Sequence, residues 1–185
     1  ATEEGQQQQQ QQQPSLPPPL PSTPQSGKHT FVYEASGHVY EGEWMDGRRH
    51  GYGSYVEADT GNRYDGRWSK DRRTGQGRLV CFGGGCSVED ASYSYDGQWF
   101  EDQYDGEGTL RDRTRGVQYV GQWAMGRFHG KGKLQPMSRR GRGGGGGSKD
   151  DDSVAQIAQI QSRDDFAYEG EWSQGERHGM GKRRR

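Results

Sequence analysis

Apolar side chains in this chain do not gather into long runs; they come in short bursts of alternation. In Tyr40-Glu-Gly42-Glu-Trp44 the rings and the glycine fall on every second position, with carboxylates between them. Side chains two apart share one face of an extended strand, so the burst predicts an aromatic face of Tyr40, Gly42 and Trp44 and a polar face of Glu41 and Glu43. The burst recurs as Tyr64-Asp-Gly66-Arg-Trp68, Tyr95-Asp-Gly97-Gln-Trp99, Tyr119-Val-Gly121-Gln-Trp123 and Tyr168-Glu-Gly170-Glu-Trp172, and it holds all five tryptophans of the chain. A second burst follows each copy: Gly51-Tyr-Gly53, Gly75-Gln-Gly77, Gly106-Glu-Gly108, Gly130-Lys-Gly132 and Gly179-Met-Gly181. Counted the same way, Gly51, Gly53 and Tyr55 share a face, and the paired glycines read as a flat floor for rings of neighbouring strands.

Between the bursts stand segments such as Met45-Asp-Gly47-Arg-Arg49 and Ala124-Met-Gly126-Arg-Phe128, with glycine where a tight hairpin turn needs a positive φ. Each unit therefore predicts a β-hairpin. Units one and two, and three and four, start 24 residues apart (64 − 40 and 119 − 95), room for two short strands and two turns. A lone hairpin is marginal in water, so the units must pair side by side. The expected fold is all-β: an elongated single-layer antiparallel sheet of repeated hairpins. Gly27-Lys-His-Thr-Phe31-Val-Tyr33 begins 13 residues before Tyr40, the offset at which Gly51 precedes Tyr64, and predicts a capping half-unit.

The sequence Tyr-x-Gly-x-Trp, then glycine in the turn, then His-Gly-x-Gly resembles the MORN repeat (membrane occupation and recognition nexus) over residues 27 to 181, with two insertions. Five ordered copies are far more specific than one. Asp71 and Asp102 stand where the turn glycine belongs, and Thr74 and Asp105 where the histidine belongs, so those turns are expected to be looser, or longer and bulged. The resemblance implies a non-catalytic module used as a scaffold at membranes, cytoskeletal structures and cilia, often dimerising, with phosphoinositide binding in some members. Similar arrays accompany catalytic domains in plant-type phosphatidylinositol phosphate kinases and in a lysine methyltransferase; no such domain is visible in this sequence.

Composition alone, with 32 glycines and a mean hydropathy of −1.30, would suggest disorder. The repeat overrides that, because each buried ring contributes roughly 150 to 250 Å² of apolar area. Residues 1–26, a glutamine tract followed by Pro14 to Pro21, read as a disordered tail or a ligand for an aromatic-lined groove. Residues 27–135 form the main array, with an insertion near 81–92. Residues 136–167 read as a charged, glycine-rich linker with a short helix capped by Ser153, and 168–185 as a fifth, truncated unit. Cys81 and Cys86 read as reduced bystanders.

A net charge of −1 supplies no field toward nucleic acid, and none is expected as partner. No run of about 18 apolar residues is present, nor a signal-peptide core in residues 1 to 30. The paired carboxylates Glu41/Glu43 and Glu169/Glu171 repeat on a polar face, which gives no means of separating two pKa values for acid–base work. His50, His129 and His178 recur before Gly-x-Gly but lack neighbouring ligands, so they read as hairpin-positioning residues. Neither a catalytic residue nor a cofactor or metal site is expected, and the chain is read as no enzyme. The basic residues of the turns, Arg48, Arg49, Lys70, Arg72, Arg73, Arg127 and Arg177, with Lys131 and Lys133, would align along one edge as a strip for anionic lipid, at around 1 kcal/mol each, diluted by Asp46, Asp71, Glu101, Asp102 and Glu176. The preferred expectation is a cytoplasmic scaffold, peripheral to a membrane, cytoskeleton or cilium, that presents an incompletely covered aromatic trough and its edges to a protein partner or a second copy. A phosphoinositide-binding module and a regulatory segment of a phosphatidylinositol phosphate kinase are the alternatives.

Overall fold

The computed structural model describes residues 23–82, 91–137 and 167–184. It contains eleven strands in chain order: β1 (Ser26–Val32), β2 (Val39–Met45), β3 (Arg48–Val56), β4 (Arg63–Ser69), β5 (Arg72–Phe82), β6 (Ala91–Phe100), β7 (Gln103–Asp112), β8 (Val117–Ala124), β9 (Arg127–Pro136), β10 (Ala167–Ser173) and β11 (Glu176–Arg184). They form one open antiparallel sheet in which every strand lies beside its sequence neighbours. The sequence-predicted all-β architecture of side-by-side hairpins is therefore the structure. Each Tyr-x-Gly-x-Trp burst is the first strand of a hairpin and each Gly-x-Gly burst lies in the second, while the half-unit supplies β1, whose Gly27 faces Trp44 and whose Phe31 faces Tyr40. Ten inter-strand spacings of about 4.8 Å give the array a span of about 48 Å.

Register puts the glycines in a single row across the sheet. Gly42 faces Gly53, Gly53 faces Gly66, and the row continues through Gly77, Gly97, Gly108, Gly121, Gly132 and Gly170 to Gly181. Over each hairpin's glycine pair lies the tyrosine of its own first strand: a Cβ at Gly53 would run into the Tyr40 hydroxyl and ring, and one at Gly77 into Tyr64. The ring thus crosses to the partner strand's glycine and also covers the glycine two positions along its own strand.

The first glycine of each Gly-x-Gly pair departs from the expected flat floor. Within every hairpin the register jumps by two residues just beyond the row, for example from Gly42↔Gly53 to Glu43↔His50. Gly51, in the jump, has a φ of +57°, and Gly75, Gly106, Gly130 and Gly179 share that left-handed conformation. A Cβ there would strike the polar-face side chain of Glu43, so Gly51 and Gly53 do not share a face. Counting by twos fails because a left-handed residue rotates the strand.

The turns also correct an expectation. Asp71 (φ 70°) and Asp102 (φ 69°) hold the same positive-φ position as Gly47 (φ 72°) and Gly126 (φ 75°) in turns of equal length, neither looser nor longer. Aspartate tolerates that conformation better than most residues. The insertion near 81–92 does not loop out whole either: Cys81 pairs with Tyr93 and Phe82 with Ala91, lengthening β5 and β6, and Cys81 and Tyr93 are buried. Thr23 to Gln25 belong to the described structure, with the Gly47 N–H donating to the Gln25 carbonyl at 3.1 Å. The glutamine and proline tract, Cys86, the helix at Ser153 and most of the linker lie outside the described residues.

The core is one face of the sheet. Tyr40, Tyr95 and Tyr119 are 0% exposed and the five tryptophans no more than 5%. The expected incompletely covered trough is therefore closed. Adding bulk to the glycine row should break it: at Gly97 a Cβ would lie 2.5 Å from the Gly108 Cα and 2.6 Å from the Glu107 carbonyl, both backbone atoms that cannot swing away. Gly97→Ala is expected to lower stability by about 2–3 kcal/mol in urea unfolding, against about 1 kcal/mol for Gly116→Ala, where φ is also positive but nothing lies within 4 Å.

Candidate functional site

The tryptophans and tyrosines of the repeat are anchored by their polar atoms. The indole N–H of Trp68 donates to the Gly53 carbonyl (3.2 Å), that of Trp99 to Gly77 (3.0 Å), that of Trp123 to Gly108 (3.3 Å) and that of Trp172 to Gly132 (3.1 Å). Tyrosine hydroxyls donate three residues ahead, Tyr40 to the Glu43 carbonyl (3.0 Å) and Tyr95 to Gln98 (2.8 Å). Tyr40 and Tyr168 also reach the carbonyls of His50 (3.3 Å) and His178 (3.1 Å). In these hairpins the repeated histidine serves through its backbone carbonyl. Tyr40, Tyr64, Tyr95 and Tyr119 each meet two tryptophans edge to face, their own and the next hairpin's, as Tyr64 lies 5.1 Å from Trp68 and 5.2 Å from Trp99, while Tyr168 meets Trp172 alone.

What closes the trough is a position that sequence reasoning misread. The residue five places after each tryptophan, Arg49, Arg73, Tyr104, Phe128 and Arg177, always carries a planar group. The Arg49 guanidinium lies 4.3 Å from the centre of the Trp68 ring and the Arg73 guanidinium 4.4 Å from that of Trp99. In the later hairpins Tyr104 stacks on Tyr95 at 3.7 Å and Phe128 on Tyr119 at 3.9 Å. Constant planarity at constant spacing was the available signal.

That position also holds the next turn. The N–H of the second turn residue donates to the carbonyl of the planar residue one hairpin earlier: Asp71 to Arg49, Asp102 to Arg73, Gly126 to Tyr104 and Gly175 to Phe128. Where the planar residue is arginine the turn carries aspartate, whose Oδ1 accepts from the arginine backbone N–H and Nε–H (2.9 and 3.3 Å at Asp71; 3.0 and 3.0 Å at Asp102). Where it is aromatic the turn carries glycine.

The nine basic residues named from the sequence consequently fall in three places. Arg49, Arg73 and Arg177 lie on the ring row, the last 5.3 Å over Tyr168. Lys131 and Lys133 stand on the polar face opposite Glu171 and Glu169, with Lys133 3.8 Å from the Glu169 carboxylate. Arg48, Lys70, Arg72 and Arg127 are exposed beside the turns, and Arg72 pairs with Glu101 at 2.8 Å. On the polar face Glu43, Gln98 and Gln122 accept the N–H of Tyr52 (3.3 Å), Glu107 (2.8 Å) and Lys131 (3.0 Å), securing the two-residue jump. His129 and His178 line a shallow depression of about 470 Å³ with Glu171 and Lys131. Among the described residues no group of three or more His, Cys, Asp or Glu is placed to hold a metal ion.

A one-layer ladder of β-hairpins tied by a tyrosine–glycine row defines a repeat protein. A family model, MORN repeat, matches residues 40–59, 64–86, 95–117, 119–135 and 168–185, more than half of the chain, and the chain belongs to the MORN-repeat family. No curated protein matches it.

Arginine and aspartate are expected to act as one unit. Arg49→Phe and Asp71→Gly should each cost about 1–2 kcal/mol in urea unfolding, while the double variant, which copies the Phe128/Gly175 solution, should recover most of the loss. Burial pushes the Tyr40 hydroxyl up to about 12 from its usual 10.0, with Arg49 opposing, and raises Tyr64, Tyr95 and Tyr119 as well. A raised tyrosine pKa stabilises the fold fully below about pH 10 and is lost as pH climbs through about 12. Tyrosinate absorbance and loss of the sheet's circular dichroism should therefore rise together in that window.

Proposed function

We propose that the chain is a non-catalytic scaffold that holds a protein partner at the margin of a stiff sheet. The supporting observation is that the aromatic face is spent on itself, while among the described residues no strand lies beyond β1 or β11. A strand edge carries a ladder of backbone donors and acceptors, and adding a strand there is a common way of capturing an extended peptide. The regular register makes the sheet a spacer of defined length, which suits a scaffold.

A peripheral membrane role has a specific observation in its favour. Met45, Phe100 and Met125 are 50%, 62% and 75% exposed at the turns, close in sequence to Arg48, Lys70, Arg72 and Arg127. Apolar tips beside cations suit an anionic leaflet, but Asp46, Glu101 and Glu176 share those turns.

Cross-linking mass spectrometry of the chain with proteins it retains at about 0.3 M salt should map contacts to the outer strands. Vesicles containing phosphoinositide should not co-sediment with it at about 0.1 M salt. Vesicle binding that disappears in the Arg48, Lys70, Arg72 and Arg127 to Ala variant, with no protein cross-link at the edges, would overturn the scaffold reading in favour of the membrane one.

A further inference from the structure

We infer that the polar face of the first three hairpins, along their turns, docks an extended acidic segment of a partner protein: an apolar residue, carboxylates two and four places on, and a second apolar residue six places on. This surface is separate from the outer strands of the sheet and adds a contact to the scaffold reading.

The side chains that flank the turns on that face form one row across the sheet. Met45, Ser69 and Phe100 each follow a buried tryptophan by one residue, so they point away from the ring face, and Arg48 and Arg72 stand opposite the first two. Exposed Met45 on β2 and Phe100 on β6 thus bracket Arg48 on β3 and Arg72 on β5. Arg72 shares its charge with Glu101 at 2.8 Å, and both of those side chains are more than half exposed. Just inward on the same face, Tyr52 is 54% exposed and the Arg67 guanidinium lies 5.1 Å over its ring. Among the described residues neither Arg48 nor Arg67 is held in an ion pair. The nearby acids are already engaged: Asp65 accepts two bonds from Arg63, each 2.7 Å, and Glu43 accepts the Tyr52 N–H. Cations are therefore in excess here.

The spacing of the row sets the partner's pattern. Strands stand about 4.8 Å apart, which puts Arg48, Arg72 and Phe100 about 5, 14 and 19 Å along the row from Met45. An extended chain laid along it advances about 3.3 Å per residue and turns every second side chain to the sheet, so positions two, four and six arrive at about 7, 13 and 20 Å. Carboxylates at two and four meet the arginines, and the apolar ends meet Met45 and Phe100. Later hairpins lose this arrangement: the row continues as Ala124, Arg127, Ser173 and Glu176, and Lys131 and Glu171 take the places of Tyr52 and Arg67.

A protein suits this surface better than an anionic leaflet. Methionine, tyrosine, phenylalanine and arginine are the side chains enriched in protein interfaces, and a guanidinium fork holds a carboxylate by two parallel bonds. Asp46 and Glu101 in the same turns repel a uniformly anionic surface, whereas a peptide sets its charges only opposite the arginines.

The probe is a labelled peptide, Gly-Leu-Ser-Glu-Ser-Glu-Ser-Phe-Gly. One control replaces both glutamates with lysine; another omits the central serine, which turns leucine and phenylalanine to opposite sides. Fluorescence anisotropy with the full chain at about 0.05 M salt should show saturable binding, about tenfold tighter than the lysine control and about threefold tighter than the shortened one. Arg48→Glu should weaken it about fivefold and Phe100→Ser about threefold, while Lys133→Glu, the same charge change on the same face of β9, should leave it within about twofold. Circular dichroism matching the parent chain confirms the sheet of each variant. No saturation up to about 1 mM peptide, affinity equal to that of either control, or equal weakening by Arg48→Glu and Lys133→Glu would overturn the inference. So would co-sedimentation with phosphatidylserine vesicles at about 0.1 M salt that Arg48→Glu and Phe100→Ser both abolish, which assigns the row to a membrane.

Discussion

The structure depends on one close approach: a tyrosine ring lying across two bare Cα atoms on paired strands. With Gly42 facing Gly53, Tyr40 can lie over the hairpin and send its hydroxyl to the carbonyls of Glu43 and His50. The ring then presents its edge to Trp44 at 5.1 Å and to Trp68 at 5.6 Å, so the same placement that closes one hairpin also grips the next. Because the glycine row runs unbroken from Gly42 to Gly181, a single geometric solution is copied five times, and a one-layer sheet acquires a core without a second layer to press against. The polar atoms of the rings are satisfied by backbone carbonyls, which is why so polar a chain can bury so many phenols and indoles.

The planar residue five places after each tryptophan decides what the aromatic face can do. Guanidinium and phenyl groups are interchangeable here because both are flat and both cover the next indole, but they differ in what they ask of the following turn. Arginine at 49 and 73 draws a carboxylate at 71 and 102; an aromatic ring at 104 and 128 leaves the turn to glycine at 126 and 175. A basic residue near a hairpin turn is thus as much a packing element as a surface charge. That thins the cationic strip suggested by the sequence to Arg48, Lys70, Arg72 and Arg127 beside the turns.

The alternation of rings and glycines made the strands, the hairpins, their order and the half-unit legible, because each is a local consequence of period two. Two features escaped. The register jump at Gly51 was hidden because a left-handed residue breaks that period without changing the spelling of the motif. The roles of Asp71 and Asp102 were hidden because each is explained only by an arginine 22 or 29 residues earlier, across a hairpin boundary. Read alone, aspartate in place of glycine looks like damage to a turn; beside its arginine it is the matched half of a pair. The lengthening of β5 and β6 by Cys81 and Tyr93 escaped likewise, since nothing in an insertion's sequence says whether it extends the ladder or leaves it.

An open sheet of eleven strands invites uncontrolled growth, since each terminal strand is a template for another. Within the described sheet the two kinds of strand alternate. A hairpin's second strand receives a first strand, with its tyrosine and tryptophan, and never another second strand; both ends of the described sheet are second strands. His29 places a side chain in the row that carries only hydrogen from Gly42 to Gly181. The same glycine row that makes the core possible therefore also sets where a ring can lie: a bare Cα admits one, and a side chain at that position would fill the space.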